Sequence, residues 1–178
     1  VGADTAGMIL SEAPHNREAI TLLVDIGTNA EIVLGNNKRL LAASSPTGPA
    51  FEGAQISSGQ RAAPGAIERV RIDRETLEPR FQVIGSDLWS NEPSFEKDTK
   101  GIGVTGICGS GIIEVIAEMY LSGVLSQDGV INGELVAKSK HIIAEGRTFS
   151  YVLSSGKHMI KVTQNDVRAV QLAKAALY

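Results

Sequence analysis

The segment Ile20–Leu34 constrains the fold of this chain more than any other. Two apolar runs are separated by the short polar stretch Gly27–Asn29, and Asp25 stands just before that stretch. Aliphatic and β-branched residues favour strands, whereas glycine and asparagine favour tight turns, so the pattern predicts a β-hairpin with a carboxylate beside its turn. Residues 38–45 are predicted to add a third strand. The chain is therefore expected to open with an antiparallel three-stranded meander.

The rest of the chain predicts strands that alternate with helices. Residues 66–72 and 80–84 alternate like paired strands, and residues 147–153 and 157–162 predict another hairpin. A glycine turn at 106–111 opens an amphipathic helix. Together these elements predict an α/β fold, a mixed sheet with an antiparallel opening meander and flanking helices, and the length allows one domain or at most two small ones.

The two longest predicted helices have apolar faces that we assign from their spacing. The last helix begins at Gln164, with Thr163 as its N-cap and Asp166 at the N3 position. Residues 86–103 are polar and are predicted to form a surface loop, which Trp89 holds down. The residues expected to point inward are Ile112, Ile113, Ile116, Met119 and Tyr120 on the first helix, and Val167, Val170, Leu172, Ala173 and Leu177 on the last.

Composition limits the classes of partner. The chain has 178 residues and a formal net charge of −3, and its acids and bases are interspersed. Without a Lys/Arg block, a nucleic-acid partner is not expected, and the apolar runs are too short to span a bilayer. The single cysteine, Cys108, excludes an internal disulfide and fits a cytoplasmic protein. We interpret the chain as a piece of a longer protein, because it lacks an initiator Met and stops within a predicted helix.

The hairpin turn is the first candidate site. Gly27 permits a tight turn, the N–H groups of Thr28 and Asn29 are placed to bind phosphate oxygens, and Asp25 is placed to hold Mg²⁺ or a general-base water. Asp25 is accordingly the candidate catalytic and metal-binding residue. The same residue types also make ordinary hairpin turns, so the sequence leaves both interpretations open.

The glycine turn is the second candidate site. Gly106, Gly109, Ser110 and Gly111 precede a helix whose N-terminus favours an anion or a ribose. No Gly-Lys-Ser/Thr follows, so this is not a Walker A loop. A close-packed turn from strand to helix explains the glycines equally well at this stage. Cys108 within the turn is expected to serve packing.

Both turns resemble motifs of the actin-like ATPase (ASKHA) superfamily, the first its second phosphate motif and the second its adenosine motif. The usual Gly-Gly pair of the adenosine motif is replaced here by Gly-Ser-Gly. Longer strings resemble one branch, the ferredoxin-linked, ATP-dependent reductive activators of corrinoid proteins. These strings cover residues 2–5, 23–35, 47–56, 103–113 and 163–168.

The resemblance implies that residues 1–178 form a single ribonuclease H-like lobe of the actin-like ATPases. This lobe would be the second of two in a protein that uses ATP to reduce a corrinoid protein from Co(II) to Co(I). It implies ATP and Mg²⁺ as ligands, with Gly27–Asn29 at the phosphates and Gly106–Gly111 at the adenosine. The [2Fe–2S] cluster of this branch is expected in a ferredoxin domain that is not in this chain. A corrinoid protein is the expected partner, and a homodimer is possible.

Two alternatives stay open. The first alternative to the activator function is a non-catalytic docking module for a corrinoid protein. The second, less favoured, is a ribonuclease H-type nuclease, which needs several converging carboxylates. Asp25 and Glu31 are the only acidic residues that the sequence places for such a centre. Beside the 47–54 loop lie three polar residues, Glu52, Gln55 and Arg61. The sequence does not decide whether they contact a partner or nucleotide or whether they order that loop.

Overall fold

The structure, a computed structural model, describes residues 2–156 and 158–178. The chain divides into two compact units. Unit 1 is the chain up to Pro49 together with Leu172–Tyr178, and unit 2 is Ala50–Gln171.

Unit 1 is built on the predicted meander. Helix α1 precedes three strands that form an antiparallel sheet in the order β1-β2-β3. The register places Asp25 opposite Glu31 and Glu31 opposite Ser44. The meander predicted from the apolar runs is therefore confirmed. Its elements are α1 (Ala3–Glu12), β1 (Thr21–Ile26), β2 (Asn29–Gly35) and β3 (Leu40–Pro46).

The two faces of this sheet differ. On one face, α1 lies over β2, where Val33 is fully buried and the hydroxyl of Thr5 donates to Oε2 of Glu31 at 2.7 Å. Alternate residues of a strand point to opposite faces. Leu22 on the other face is 60% exposed. Unit 1 thus has one covered face and one that presents exposed aliphatic side chains, namely Leu22, Val24, Ile26, Leu34 and Leu41.

Unit 2 contains two further sheets. One has the order β5-β4-β6, in which β6 runs parallel to β4, and the other is antiparallel in the order β7-β8-β9. Both predicted hairpins are confirmed, and Val70 pairs with Phe81 in the first of them. The elements are β4 (Ala66–Ile72), β5 (Pro79–Val83), α2 (Phe95–Asp98), β6 (Gly106–Ile107), α3 (Gly109–Leu121), β7 (Ile142–Glu145), β8 (Thr148–Ser155), β9 (Met159–Thr163) and α4 (Gln164–Ala175), whose last turn lies in unit 1.

The segment 86–103 is more ordered than a surface loop. It contains α2, and Phe95 of that helix is buried. The rings of Phe95 and Phe81 form a T-shaped pair with their centroids 5.9 Å apart. The guanidinium carbon of Arg80 lies 5.1 Å from the centroid of the Trp89 ring. The anchoring role of Trp89 therefore agrees with the prediction. One buried aromatic among polar neighbours has no periodicity, and the sequence pattern therefore missed this short helix.

The predicted face of α3 is partly wrong. Ile112, Val115 and Met119 are buried, whereas Ile113 and Tyr120 are about half exposed. The helix is apolar on nearly every side, so its sequence does not single out the inward face. The contact with β4 selects it instead.

The start of α4 agrees with the prediction. The amide of Asp166 donates to the Thr163 hydroxyl at 3.2 Å, and the amide of Thr163 donates to the Asp166 carboxylate at 2.8 Å, which is a reciprocal capping box. Val167, Val170 and Ala173 point inward as expected, but Leu172 is 74% exposed.

Two glutamates of α3 complete the edge of β4. Strand β6 pairs only with Ala66 and Ile67, so β4 extends beyond it. Further along this edge, the amide of Val70 donates to Glu114 at 2.6 Å and the amide of Ile72 donates to Glu118 at 3.0 Å. Side-chain carboxylates thus replace a missing strand.

Candidate functional site

The hairpin turn places Asp25 at an exposed position, one residue before the end of β1. Within the turn, the amide of Gly27 donates to the carbonyl oxygen of Asn29 at 2.9 Å. Gly27 therefore uses its N–H to close the turn. Thr28 and Asn29, to which the sequence assigns the phosphate donors, follow Gly27 in the turn, and that assignment stays a prediction.

Thr47 fixes this turn from outside the hairpin. Its buried hydroxyl donates a bifurcated hydrogen bond to the carbonyl oxygens of Gly27 and Thr28, at 2.7 and 3.0 Å. The amide of Gly48 also donates to the carbonyl oxygen of Thr28, at 2.9 Å. The turn carbonyls are thereby satisfied by residues 47–48. Sequence reasoning missed this role of Thr47, and the only signal was a threonine between the end of a strand and a Gly-Pro pair.

Glu31 serves as an anchor in the same sheet. Its carboxylate accepts hydrogen bonds from the hydroxyls of Thr5 at 2.7 Å and Ser44 at 2.9 Å. These two hydroxyls lower the pKa of Glu31 below its usual range. Glu31 lies opposite Asp25 in the register, but its oxygens hold α1 and β3 to β2.

The glycine turn leads from β6 through Cys108 into α3, and its glycines are packed tightly. A Cβ on Gly109 would lie 2.1 Å from the carbonyl oxygen of Phe51, and one on Gly111 would lie 2.2 Å from that of Ile67. Real Cβ atoms do not come so close to backbone atoms. Backbone approach from within unit 2 therefore accounts for these glycines, in agreement with the packing interpretation.

Residues 57–60 support the turn from its other side. The amide of Gln60 donates to Ile107 at 2.9 Å, and the amide of Ile107 donates to Ser58 at 2.8 Å. A Cβ on Gly106 would lie 2.6 Å from the side-chain oxygen of Gln60. The buried carboxylate of Asp166 accepts from the amide and the hydroxyl of the neighbouring Ser57, at 2.8 and 3.0 Å. The cap of α4 therefore also positions the segment that holds the glycine turn.

A cavity of about 450 Å³ lies at the N-terminus of α3. The first bond of this helix runs from the Ile112 amide to the Cys108 carbonyl, so the amides before Ile112 have no partner within the helix. Cys108, the N-cap, makes no side-chain capping bond in the described part of the chain. Amides without a partner inside the helix, together with the helix dipole, suit an anionic or hydroxyl-rich ligand. Seven residues line the cavity, namely Phe51, Glu52, Arg61, Ala62, Cys108, Gly109 and Ser110.

The Cys108 side chain is 2% exposed. Its sulfur lies 3.3 Å from the carbonyl oxygen of Ile67, to which it donates, and 3.2 Å from the hydroxyl of Ser110. These contacts agree with the packing role expected for Cys108. Gln55 is exposed and does not line the cavity, unlike Glu52 and Arg61.

The predicted site residues thus fall into two groups. Gly109 and Ser110 share one cavity in unit 2, while Gly106 and Gly111 shape the turn behind it. Asp25 and Gly27–Asn29 lie together in unit 1.

Over residues 2–156 and 158–178, no group of three or more His, Cys, Asp and Glu side chains has a geometry that would hold a metal ion. Over the same residues, no helix combines the length and hydrophobicity needed to cross a membrane.

Residues 19–178 match the protein family described as the C-terminal domain of RACo, the ASKHA domain. The corrinoid activation enzyme RamQ of Eubacterium limosum is 36% identical, over 100% of this chain and 28% of RamQ. The [Co(II) methylated amine-specific corrinoid protein] reductase of Methanosarcina barkeri is 32% identical, over 98% of this chain and 34% of the reductase.

A solved structure, described as a reductive activator for corrinoid,iron-sulfur protein, superposes with a TM-score of 0.84 and 35% sequence identity. The match covers 99% of this chain and 26% of that one. The chain therefore spans between about a quarter and a third of the length of the relatives that it matches.

Proposed function

The chain belongs to the family of RACo C-terminal ASKHA domains, and from this membership we propose that it forms part of the nucleotide-binding region of an ATP-dependent reductive activator of corrinoid proteins. The observation that carries the proposal is the match along the whole chain to two relatives named for corrinoid activation and corrinoid-protein reduction. The proposed activity is the conversion of a corrinoid protein from Co(II) to Co(I).

The glycine turn is proposed to bind the adenosine side of ATP. The amides at the start of α3 and the guanidinium of Arg61 give the cavity of about 450 Å³ donors that suit phosphate or ribose oxygens. Gly109 and Ser110 are proposed to contact the nucleotide. Gly106 and Gly111 are proposed to keep the turn in its conformation, because each is approached closely by neighbouring atoms.

The hairpin turn is proposed to bind the phosphates. Thr28 and Asn29 supply backbone and side-chain donors, and Gly27 supplies the tight turn that presents them. The exposed carboxylate of Asp25 is the proposed ligand of Mg²⁺ or of one of its waters. Bound Mg²⁺ neutralises phosphate charge, while Thr47 holds the turn in shape through its carbonyls.

The electrons are proposed to come from a [2Fe–2S] cluster in another part of the activator. Such a cluster takes four cysteine thiolates, and this chain contains one cysteine, which is buried. The proposed partner is a corrinoid protein, and assembly of two copies stays a prediction. The proposed location is the cytoplasm.

A segment exchange tests the proposal. The matched 28% of RamQ is replaced by this chain, and reduction of a Co(II) corrinoid protein is followed with and without Mg-ATP. We expect the chimaera to be ATP-dependent. We expect Asp25→Asn to remove most of this activity and Arg39→Ala, a charge change on an exposed turn, to retain it.

Calorimetry of the same chimaera with Mg-ATP separates the proposal from the docking-module alternative. Absence of nucleotide binding, with corrinoid-protein binding intact, would favour the docking module. No described feature favours the nuclease alternative, because the second carboxylate placed for it, Glu31, is an anchor of the unit 1 sheet.

A further inference from the structure

Unit 2 holds a second cavity, of about 520 Å³, near the other end of α3. Gly123 lies on its wall, two residues beyond the last residue of α3. Gly109, which lines the cavity of about 450 Å³ at the glycine turn, is the first residue of the same helix. A helix of 13 residues is about 20 Å long, so the two cavities are separate sites. Nothing in the proposed nucleotide chemistry uses this second cavity.

The charge of this cavity is unusual for an acidic chain. Arg147 and Arg168 line it, and no aspartate or glutamate does so among the described residues. Neither arginine forms a salt bridge in the described part of the chain. Both side chains are exposed, and two guanidinium groups that line one cavity repel each other and attract an anion.

The guanidinium of Arg168 is held in position. Its Nη1 donates to the carbonyl oxygen of Asp128 at 3.2 Å and to the side-chain oxygen of Gln171 at 2.7 Å. A guanidinium has five N–H donors, and these two contacts use only Nη1. The edge formed by Nε and Nη2 is the one that binds a carboxylate or a phosphate with two parallel bonds.

The walls of the cavity are rigid and partly apolar. The side-chain amide of Gln164, one helical turn before Arg168, accepts from the backbone amide of Ile131 at 2.9 Å and donates to the carbonyl oxygen of Gly129 at 2.6 Å. The ring of Phe149 packs on Gly133, where a Cβ would lie 2.2 Å from the ring carbons. Phe149 and Ile131 thus give the cavity a fixed hydrophobic surface beside its two cations.

We propose that this cavity binds a small organic anion, a carboxylate or phosphate group attached to a flat apolar body. The arginines bind the charged group, and Phe149 packs against the apolar body. The volume is in the range of small-molecule sites, which combine an apolar lining with a few fixed polar groups. The proposal does not depend on the function proposed for the glycine turn.

The test uses two anions and a neutral analogue. Phenyl phosphate, benzoate and benzyl alcohol are titrated into the 178-residue chain, and the backbone amide signals of Ile131 and Phe149 are followed by NMR. We expect saturable shifts with at least one anion, and the tighter anion identifies the charged group. We expect Arg147→Ala and Arg168→Ala each to weaken binding about tenfold, the loss of one charge-assisted pair.

Arg39→Ala is the matched control, since it removes one exposed positive charge from unit 1, and it should leave the affinity within about twofold. Arg168→Lys keeps the charge without the planar fork and should give an intermediate loss, which guards against a folding defect in the alanine variant. The proposal is overturned if neither anion gives saturable shifts, if benzyl alcohol binds as tightly, or if both alanine variants bind like the parent chain.

Discussion

The two turns proposed to contact ATP are built in different ways. The hairpin turn of unit 1 is exposed and is held by hydroxyl groups. The Thr47 hydroxyl donates to the turn carbonyls, and the hydroxyls of Thr5 and Ser44 donate to the carboxylate of Glu31. The glycine turn of unit 2 is held by close backbone packing, since carbonyl oxygens lie 2.1 and 2.2 Å from where a Cβ on Gly109 or Gly111 would stand. A glycine in such a motif therefore does not by itself indicate a ligand.

This contrast predicts that unit 2 tolerates change at its turn less well than unit 1. A Cβ that meets backbone cannot be accommodated by rotation of a side chain, whereas a lost hydroxyl removes one or two hydrogen bonds. Four substitutions test that ranking.

Gly109→Ala should have the largest effect. The added Cβ would meet the Phe51 carbonyl oxygen at 2.1 Å, and we expect a loss of about 3 kcal/mol in the free energy of unfolding, measured by urea denaturation. Gly7→Ala is the matched control, because no atom lies within 4 Å of its Cβ position in α1, and it should stabilise the chain by about 1 kcal/mol. Equal stability of Gly109→Ala and the parent chain would refute the packing account.

Asp166→Ala should come next. It removes the acceptor for the amides of Ser57 and Thr163 and for the Ser57 hydroxyl, and we expect a loss of about 2 kcal/mol in the same measurement. The control is Asn165→Ala, at the exposed neighbouring position. If the two variants unfold at the same urea concentration, the cap of α4 does not support the glycine turn.

Thr47→Val should cost about 1 kcal/mol, since it leaves the carbonyls of Gly27 and Thr28 without the buried hydroxyl. Thr47→Ser keeps the hydroxyl and should recover most of that loss. A Thr47→Ser variant that is less stable than Thr47→Val would show that the methyl group, and not the hydroxyl, holds the hairpin turn.

Glu31→Gln should have an effect that depends on pH. Because hydrogen bonds lower the pKa of Glu31 in the folded chain, its carboxylate contributes stability above the usual value of 4.5, and that contribution is lost as pH falls through the folded pKa. The parent chain should therefore exceed Glu31→Gln in thermal stability at neutral pH, and the gap should shrink as the pH falls below 4.5. Glu96→Gln serves as a charge-matched control, and a gap that does not change with pH would contradict the assignment.

Much of the fold could be predicted because its signals are local. The apolar runs around Asp25 and the capping box at Thr163 each lie within a few residues, and both were predicted correctly. The anchors of the site could not be predicted, since Ser57 and Asp166 are 109 residues apart and Thr5 and Glu31 are 26 apart. The inward face of α3 was misassigned for a related reason, because β4 selects it and the helix sequence does not.

The glutamate pair of α3 has a consequence for self-association. A sheet edge with unpaired amides is a template on which a strand from another molecule can add, the first step of β-aggregation. Glu114 and Glu118 occupy the amides of Val70 and Ile72, so these two donors are not open to an incoming strand. Helix α3 therefore protects this edge of β4 against strand addition, while its first residues form the end of the glycine turn.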